Sequence, residues 1–109
     1  MRDSENKVQC IMTLKELQSQ IYNNKLNKFG VPVSVEREFC YTYGELNEAF
    51  DAWLKQDGTV GEELADVAIY LFGIAEYLGL NLGEEIFAKV AKNKDRTYHL
   101  EGNKSVKDS

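Results

Sequence analysis

The acidic side chains in the middle of the chain are the residues best placed to do chemistry. From Glu38 to Glu85 the acids are Glu38, Glu45, Glu48, Asp51, Asp57, Glu62, Glu63, Asp66, Glu76, Glu84 and Glu85, and Lys55 is the only base among them. Ordinary solvated helices intersperse the two signs and gain from pairs at i,i+4. Here Glu45 and Glu48 stand three residues apart, as do Glu63 and Asp66. On a helix that spacing stacks two side chains on one face. Glu63 and Asp66 flank an apolar stripe, with Ile69 and Tyr70 one turn beyond Asp66. Carboxylates beside an apolar surface with no cation nearby are costly unless something neutralises them. A hard divalent ion does so. Mg²⁺ takes oxygen ligands in an octahedron and keeps several waters, and Mn²⁺ is the alternative ion. Two antiparallel helices that each offer an i,i+3 acidic pair can build such a site in a bundle. Spacing alone leaves a second reading open, in which the acids face water and serve solubility.

Helices must position these pairs, and the sequence carries their start and stop signals. Thr13-Leu14-Lys15-Glu16 is a capping box. It opens a first helix of about 14 to 28, with Leu14, Leu17, Ile21 and Leu26 at roughly helical spacing and Gly30 and Pro32 as the stop. Ser34 caps a second helix of about 35 to 56, whose apolar positions include Val35, Phe39, Leu46, Ala49, Phe50 and Trp53, and Asp57-Gly58 ends it. Thr59-Val60-Gly61-Glu62 reads as another capping box and opens a third helix of about 60 to 78, stopped at Gly79. Asn81 with Glu84 starts a fourth, about 82 to 97. No segment of any length alternates like a strand, and the tail from about Gly102 to Ser109 is expected to fray. The pattern predicts an all-α fold, a four-helix antiparallel bundle, in one domain over 1–109 with its core at about 13–100. In the third helix Leu64, Val67, Ala68, Leu71, Ala75 and Leu78 form one face, and Ile69, Phe72 and Ile74 widen it. A helix so apolar is buried on most sides. In a chain of 109 residues, whose lone core is marginal, that predicts burial against a second subunit.

The bulk properties exclude some partners. A formal net charge of −5 argues against wrapping DNA or RNA, which needs Lys and Arg on phosphates. It leaves nucleotide ligands open, because a metal ion can supply positive charge. No apolar run is long enough to span a bilayer, and Met1–Asn6 is polar rather than signal-like. Cys10 and Cys40 are too few for a disulfide framework. They are expected to be reduced thiols, each a small buried hydrophobe, in a cytoplasmic protein. His99, the only histidine, is expected on the surface, and Tyr41, Tyr43 and Tyr70 are expected to pack with a polar end free. Phe50 and Trp53 lie one and two turns beyond Glu45. Either could stack on a base, although core packing is the expected role.

The residues taken together resemble a family. Gly44-Glu45-Leu46-Asn47-Glu48-Ala49-Phe50, then Glu62-Glu63-Leu64-Ala65-Asp66-Val67-Ala68-Ile69-Tyr70-Leu71, then Leu78-Gly79-Leu80-Asn81-Leu82, then Lys89 through Asn93 to Arg96 look like the MazG-like nucleotide pyrophosphohydrolases. The likeness spans roughly residues 34 to 100, and Glu63-Leu64-Ala65-Asp66-Val67 is its most diagnostic stretch. It implies the all-α NTP pyrophosphatase fold, assembly as homodimers or homotetramers, and cleavage of nucleoside triphosphates to a monophosphate and pyrophosphate. The family signature is Glu-x-x-Glu on one helix and Glu-x-x-Asp on the next, all four binding Mg²⁺. Glu63 and Asp66 match the second pair. Anchoring Gly44-Glu45-Leu46 on the family's Gly-Glu-Leu makes Glu45 the second glutamate of the first pair and puts Thr42 where the first belongs. Thr42 is a departure, since a hydroxyl is a weaker Mg²⁺ ligand, and Glu48 or Glu38 lies close enough along the helix to compensate.

The resemblance therefore implies Mg²⁺ held by Glu45, Glu63 and Asp66, with Glu48 joining, and Glu45 as the carboxylate that orients or deprotonates the attacking water. Lys89, Asn93 and Arg96 match the family's polar positions on the last helix and would contact substrate, whereas Lys92 and Lys94 read as a solvated face. The implied role is nucleotide-pool housekeeping. Two other functions fit the same sequence: a catalytically weakened member that senses nucleotide or metal, and a helical protein-interaction domain with no Mg²⁺ affinity.

Overall fold

A computed structural model describes residues 12–96, 98–102 and 104–107. Cys10, the Met1–Asn6 segment and the side chain of His99 lie outside the described residues. The body is helical: α1 is Leu14–Phe29, α2 Val35–Lys55, α3 Val60–Tyr77 and α4 Leu82–Lys94. Among the described residues no helix is long and apolar enough to cross a membrane.

Short polar side chains set three of the four helix starts. The Thr13 hydroxyl accepts from the Glu16 amide, and the Glu16 carboxylate reaches back to the Thr13 amide. Ser34 accepts from the Arg37 amide at 3.1 Å, and Asn81 accepts from the Glu84 amide at 3.1 Å. Each satisfies a helix-end donor that would otherwise lack a partner. The capping box expected at Thr59–Glu62 does not form. Instead the Thr59 amide and hydroxyl both donate to Asp57 Oδ1, at 2.9 and 2.6 Å. A nearby carboxylate outcompetes the helix end for that hydroxyl, and the two bonds hold the Asp57 carboxyl below its ordinary range. At the other end of α3 the Leu80 amide donates to the Ala75 carbonyl at 2.8 Å and the Gly79 amide to Glu76 at 3.1 Å. That motif needs a left-handed residue, and Gly79 supplies it with φ of 74°.

α3 is the hub. It packs along α2 and α1 and touches α4, which also rests on α1, while α2 and α4 make no contact among the described residues. α4 approaches α1 closely at Gly83, where an added Cβ would meet Leu14 Cβ at 2.8 Å. Gln18 ties three helices together. It is wholly buried, donates to Glu76 Oε1 and to the Leu80 carbonyl at 2.7 Å each, and accepts from the Leu82 amide at 3.0 Å.

Among the described residues the buried apolar side chains are Ala49, Ala52, Ile74 and Ala75. Alanines let α2 and α3 approach, but they leave a thin core. Several expected packing residues are instead exposed: Phe50 at 54%, Trp53 at 60% and Tyr43 at 67%. Cys40 is an exposed thiol rather than a buried one. The cause is common to all four. Each sits on a face of α2 turned away from α3, against which α2 chiefly packs among the described residues.

The helical body meets the all-α expectation, with one addition. The fourth helix stops at Lys94 rather than near 97, and where a frayed tail was expected the backbone pairs in an antiparallel hairpin, β1 Tyr98–Glu101 with β2 Lys104–Lys107. Gly102, with φ of 64°, makes its turn.

Candidate metal centre

The site follows from how α2 and α3 run past one another. Glu48 meets Glu63, and seven residues back along α2 Tyr41 meets Tyr70 with ring centroids 6.3 Å apart. The two helices are therefore antiparallel. Their facing stripes read Tyr41, Glu45, Glu48 on α2 and Tyr70, Asp66, Glu63 on α3, each at i,i+3/i+4 spacing.

Three carboxylates converge there. Glu45, Glu48 and Glu63 each place one ligand oxygen so that all lie within 4.8 Å of one another. The Glu45 carboxyl is pushed up from its ordinary range, first by burial, then by the charge of Glu48 and a hydrogen bond shared with it, then by Asp66 and Glu63. The Glu63 carboxyl is also raised, by burial first and then by Glu48, Asp66, Glu62 and Asp57. Asp66 is half-buried one turn from Glu63. Its charge acts on both raised carboxyls, although it stands outside the tightest trio.

The donor set suits a small hard cation. In an octahedron with Mg–O bonds of 2.0–2.1 Å, ligand oxygens stand about 2.9 to 4.2 Å apart. The trio's 4.8 Å limit closes to that range by small side-chain rotations. A cation would also remove the mutual repulsion that raises Glu45 and Glu63.

The two residues suggested as compensating or replacing a fourth ligand are engaged elsewhere. Thr42 is buried and its hydroxyl donates to the Glu38 carbonyl at 2.8 Å, back along its own helix. Glu38 is buried and forms an ion pair with Lys25 of α1. Lys25 also lies 4.7 Å over the Tyr70 ring, and desolvation lowers its pKa. Sequence inspection passed over this pair because its members are thirteen residues apart on different helices and no helical periodicity links them.

The remaining candidate residues lie away from the trio. Phe50 and Trp53 stack on each other at 6.0 Å and 23°. At roughly 100° per residue they are turned about 140–160° away from Glu48 around the helix. Lys89 and Asn93 are exposed on α4, and Arg96 donates to Asn93 Oδ1 at 3.2 Å. Among the described residues α4 does not contact α2, the helix that carries Glu45 and Glu48. Beyond the two tyrosines, a cavity of about 590 Å³ opens between the end of α1, the turn after it and the start of α2. Sequence inspection missed it. The only trace was Lys25 and Lys28 at i,i+3 on the cavity face of α1.

The raised carboxyls make a testable linkage. A carboxyl whose folded pKa is raised binds more protons in the folded state, so stability falls as pH rises from the unfolded value through the raised one. The lowered carboxyls, Asp57 and Glu76, act in the opposite sense, but only below their unfolded values. In EDTA the melting temperature should therefore be higher near pH 5 than at pH 7.5, and Mg²⁺ should raise it at pH 7.5 far more than at pH 5. Calorimetry at the two pH values checks this, and an Mg²⁺ effect independent of pH would contradict it.

Comparison with protein-family models, curated proteins and solved structures finds no match for the chain. The geometry defines a helical protein with a three-carboxylate cluster able to hold a metal ion.

Proposed function

We propose that the chain is a Mg²⁺-dependent nucleoside triphosphate pyrophosphohydrolase of the MazG-like type, producing a monophosphate and pyrophosphate in nucleotide-pool housekeeping. The observation that carries this reading is the trio Glu45, Glu48 and Glu63, drawn from two antiparallel helices with oxygens within 4.8 Å. The divalent ion, when bound, supplies positive charge for the phosphate oxygens and a more acidic water. Glu45 is the residue that holds and accepts the proton of that water. Its raised pKa makes it a better base than an ordinary carboxylate. Asp66 keeps the site electronegative from one turn away and is the fourth ligand of the reading.

The reading includes a second copy of the chain. α2 exposes Leu46, Phe50, Trp53 and Leu54, and α4 exposes Phe87 and Val90. Exposed apolar residues clustered on a helix face in this way mark docking faces. The acidic α2–α3 face and the Lys-bearing α4 are complementary in charge, so a neighbouring α4 can bring Lys89, Asn93 and Arg96 to the trio. Light scattering at micromolar concentration should give a dimer or tetramer, and Phe87→Glu should shift it toward monomer. A wild-type monomer at 100 μM would remove this part of the reading.

A sensor reading has one observation in its favour. With Thr42 and Glu38 occupied elsewhere, three carboxylates rather than four converge most closely. The experiment that separates the readings is pyrophosphate release from a panel of triphosphates with and without Mg²⁺. Metal-dependent release supports the enzyme, nucleotide binding without release supports the sensor, and absence of both Mg²⁺ and nucleotide binding leaves a helical interaction domain.

A further inference from the structure

The cavity beside the tyrosine pair has a charge opposite to that of the rest of the chain. Its charged lining comprises Lys25, Lys28 and Arg37 against the single carboxylate Glu38, in a chain of net charge −5. Lys25 is already used by Glu38 and the Tyr70 ring. Lys28 and Arg37 have no carboxylate partner among the described residues. They face the same cavity from two helices, with Tyr41 and Tyr70 between them and the acidic trio. Arg37 and Glu45 are eight residues apart on α2, about 12 Å along the axis at 1.5 Å per residue. A volume of about 590 Å³ lies within the range of small-molecule sites.

We propose that Lys28 and Arg37 form an anion subsite, and that the ligand is a nucleotide with a second phosphate on its ribose, remote from the 5′ chain. The 5′ phosphates lie toward the carboxylate trio, the nucleoside rests against the tyrosines, and the second phosphate meets the two cations. A base bearing no further charge would leave Lys28 and Arg37 unmatched, whereas a phosphate accepts charge-assisted hydrogen bonds from both. The inference rests on the proposed hydrolase site for its orientation, but its binding energy comes from residues outside the metal cluster.

Titration calorimetry in Mg²⁺ tests it without relying on turnover, because neither nucleotide used carries an anhydride to cleave. A nucleoside 3′,5′-bisphosphate should bind at least about tenfold more tightly than the matching 5′-monophosphate, a difference equivalent to about 1.4 kcal/mol. Lys28→Ala combined with Arg37→Ala should abolish that difference, Arg37→Gln should reduce it, and Glu63→Gln should leave it intact. Both altered side chains are exposed, so an unchanged thermal melt shows that the fold is retained. Equal affinity for the two nucleotides, or a difference that survives the double substitution, overturns the subsite. A protein that releases pyrophosphate yet fails this titration keeps the hydrolase reading alone. One that passes it without turnover keeps the subsite alone.

Discussion

Glu63→Ala should lower Mg²⁺-dependent pyrophosphate release by about a thousandfold, which corresponds to about 4 kcal/mol of barrier. Glu45→Ala should be at least as severe, because it removes a ligand and the proposed base together. The reason is local. Among the described residues only three carboxylates bring oxygens within 4.8 Å of one another, and Mg²⁺ dehydrates reluctantly, so losing one strong oxygen ligand leaves too little charge to hold it. Glu48→Ala should match Glu63→Ala, and Asp66→Ala should be milder, since Asp66 stands outside the closest trio. A second readout separates this from damage to the fold. The charges on Glu48 and Asp66 raise the Glu63 carboxyl, so deleting Glu63 relieves repulsion. In EDTA at pH 7.5 the variant should melt no lower than the wild type. Functional sites often trade stability for activity in this way. Undiminished release by Glu63→Ala would discard the metal site, and loss of release together with a lower melt would assign Glu63 to folding.

Gln18→Ala should cost about 3 kcal/mol of stability. Among the described residues Gln18 is the one large side chain that is completely buried. Its amide satisfies the Leu80 carbonyl and the Leu82 amide on either side of the α3–α4 turn, and it also holds Glu76. Removing one partner from a buried hydrogen bond costs about 1–3 kcal/mol per group left unsatisfied. Two backbone groups and one carboxylate lose a partner here, and Lys15 at 3.2 Å keeps Glu76 partly compensated. Urea denaturation measures the change, and a chain of this size should melt about 12 °C lower or more. A loss below about 1 kcal/mol would mean that water replaces the amide at no penalty. The trio lies on the α2–α3 face rather than at this junction, so metal affinity per folded molecule should be nearly unchanged.

The locally determined features were legible. Helix boundaries at Thr13, Ser34, Gly79 and Asn81 depend on contacts between residues three to five apart, and such contacts are written in order along the chain. The same holds for the i,i+3 acidic pairs, because one helix suffices to put them on one face. Even local signals compete, as at Thr59, where Asp57 two residues earlier took the hydroxyl that a capping box needs.

What the sequence alone determined is the set of four helices, the caps at Thr13, Ser34 and Asn81, and an acidic stripe on each of the two middle ones. The tertiary structure decided which carboxylates meet: Glu48 joins Glu45 and Glu63, while Asp66 stays one step back. It also decided that Glu38 belongs to Lys25, that Gln18 clamps residues 58 to 64 positions away, and that Phe50 and Trp53 remain uncovered. The physical reason is that periodicity specifies the face of a helix but not its axial offset or its neighbour. Those depend on how the small residues Ala49, Ala52 and Ala75 let α2 and α3 settle against each other, a choice made by packing across the whole molecule.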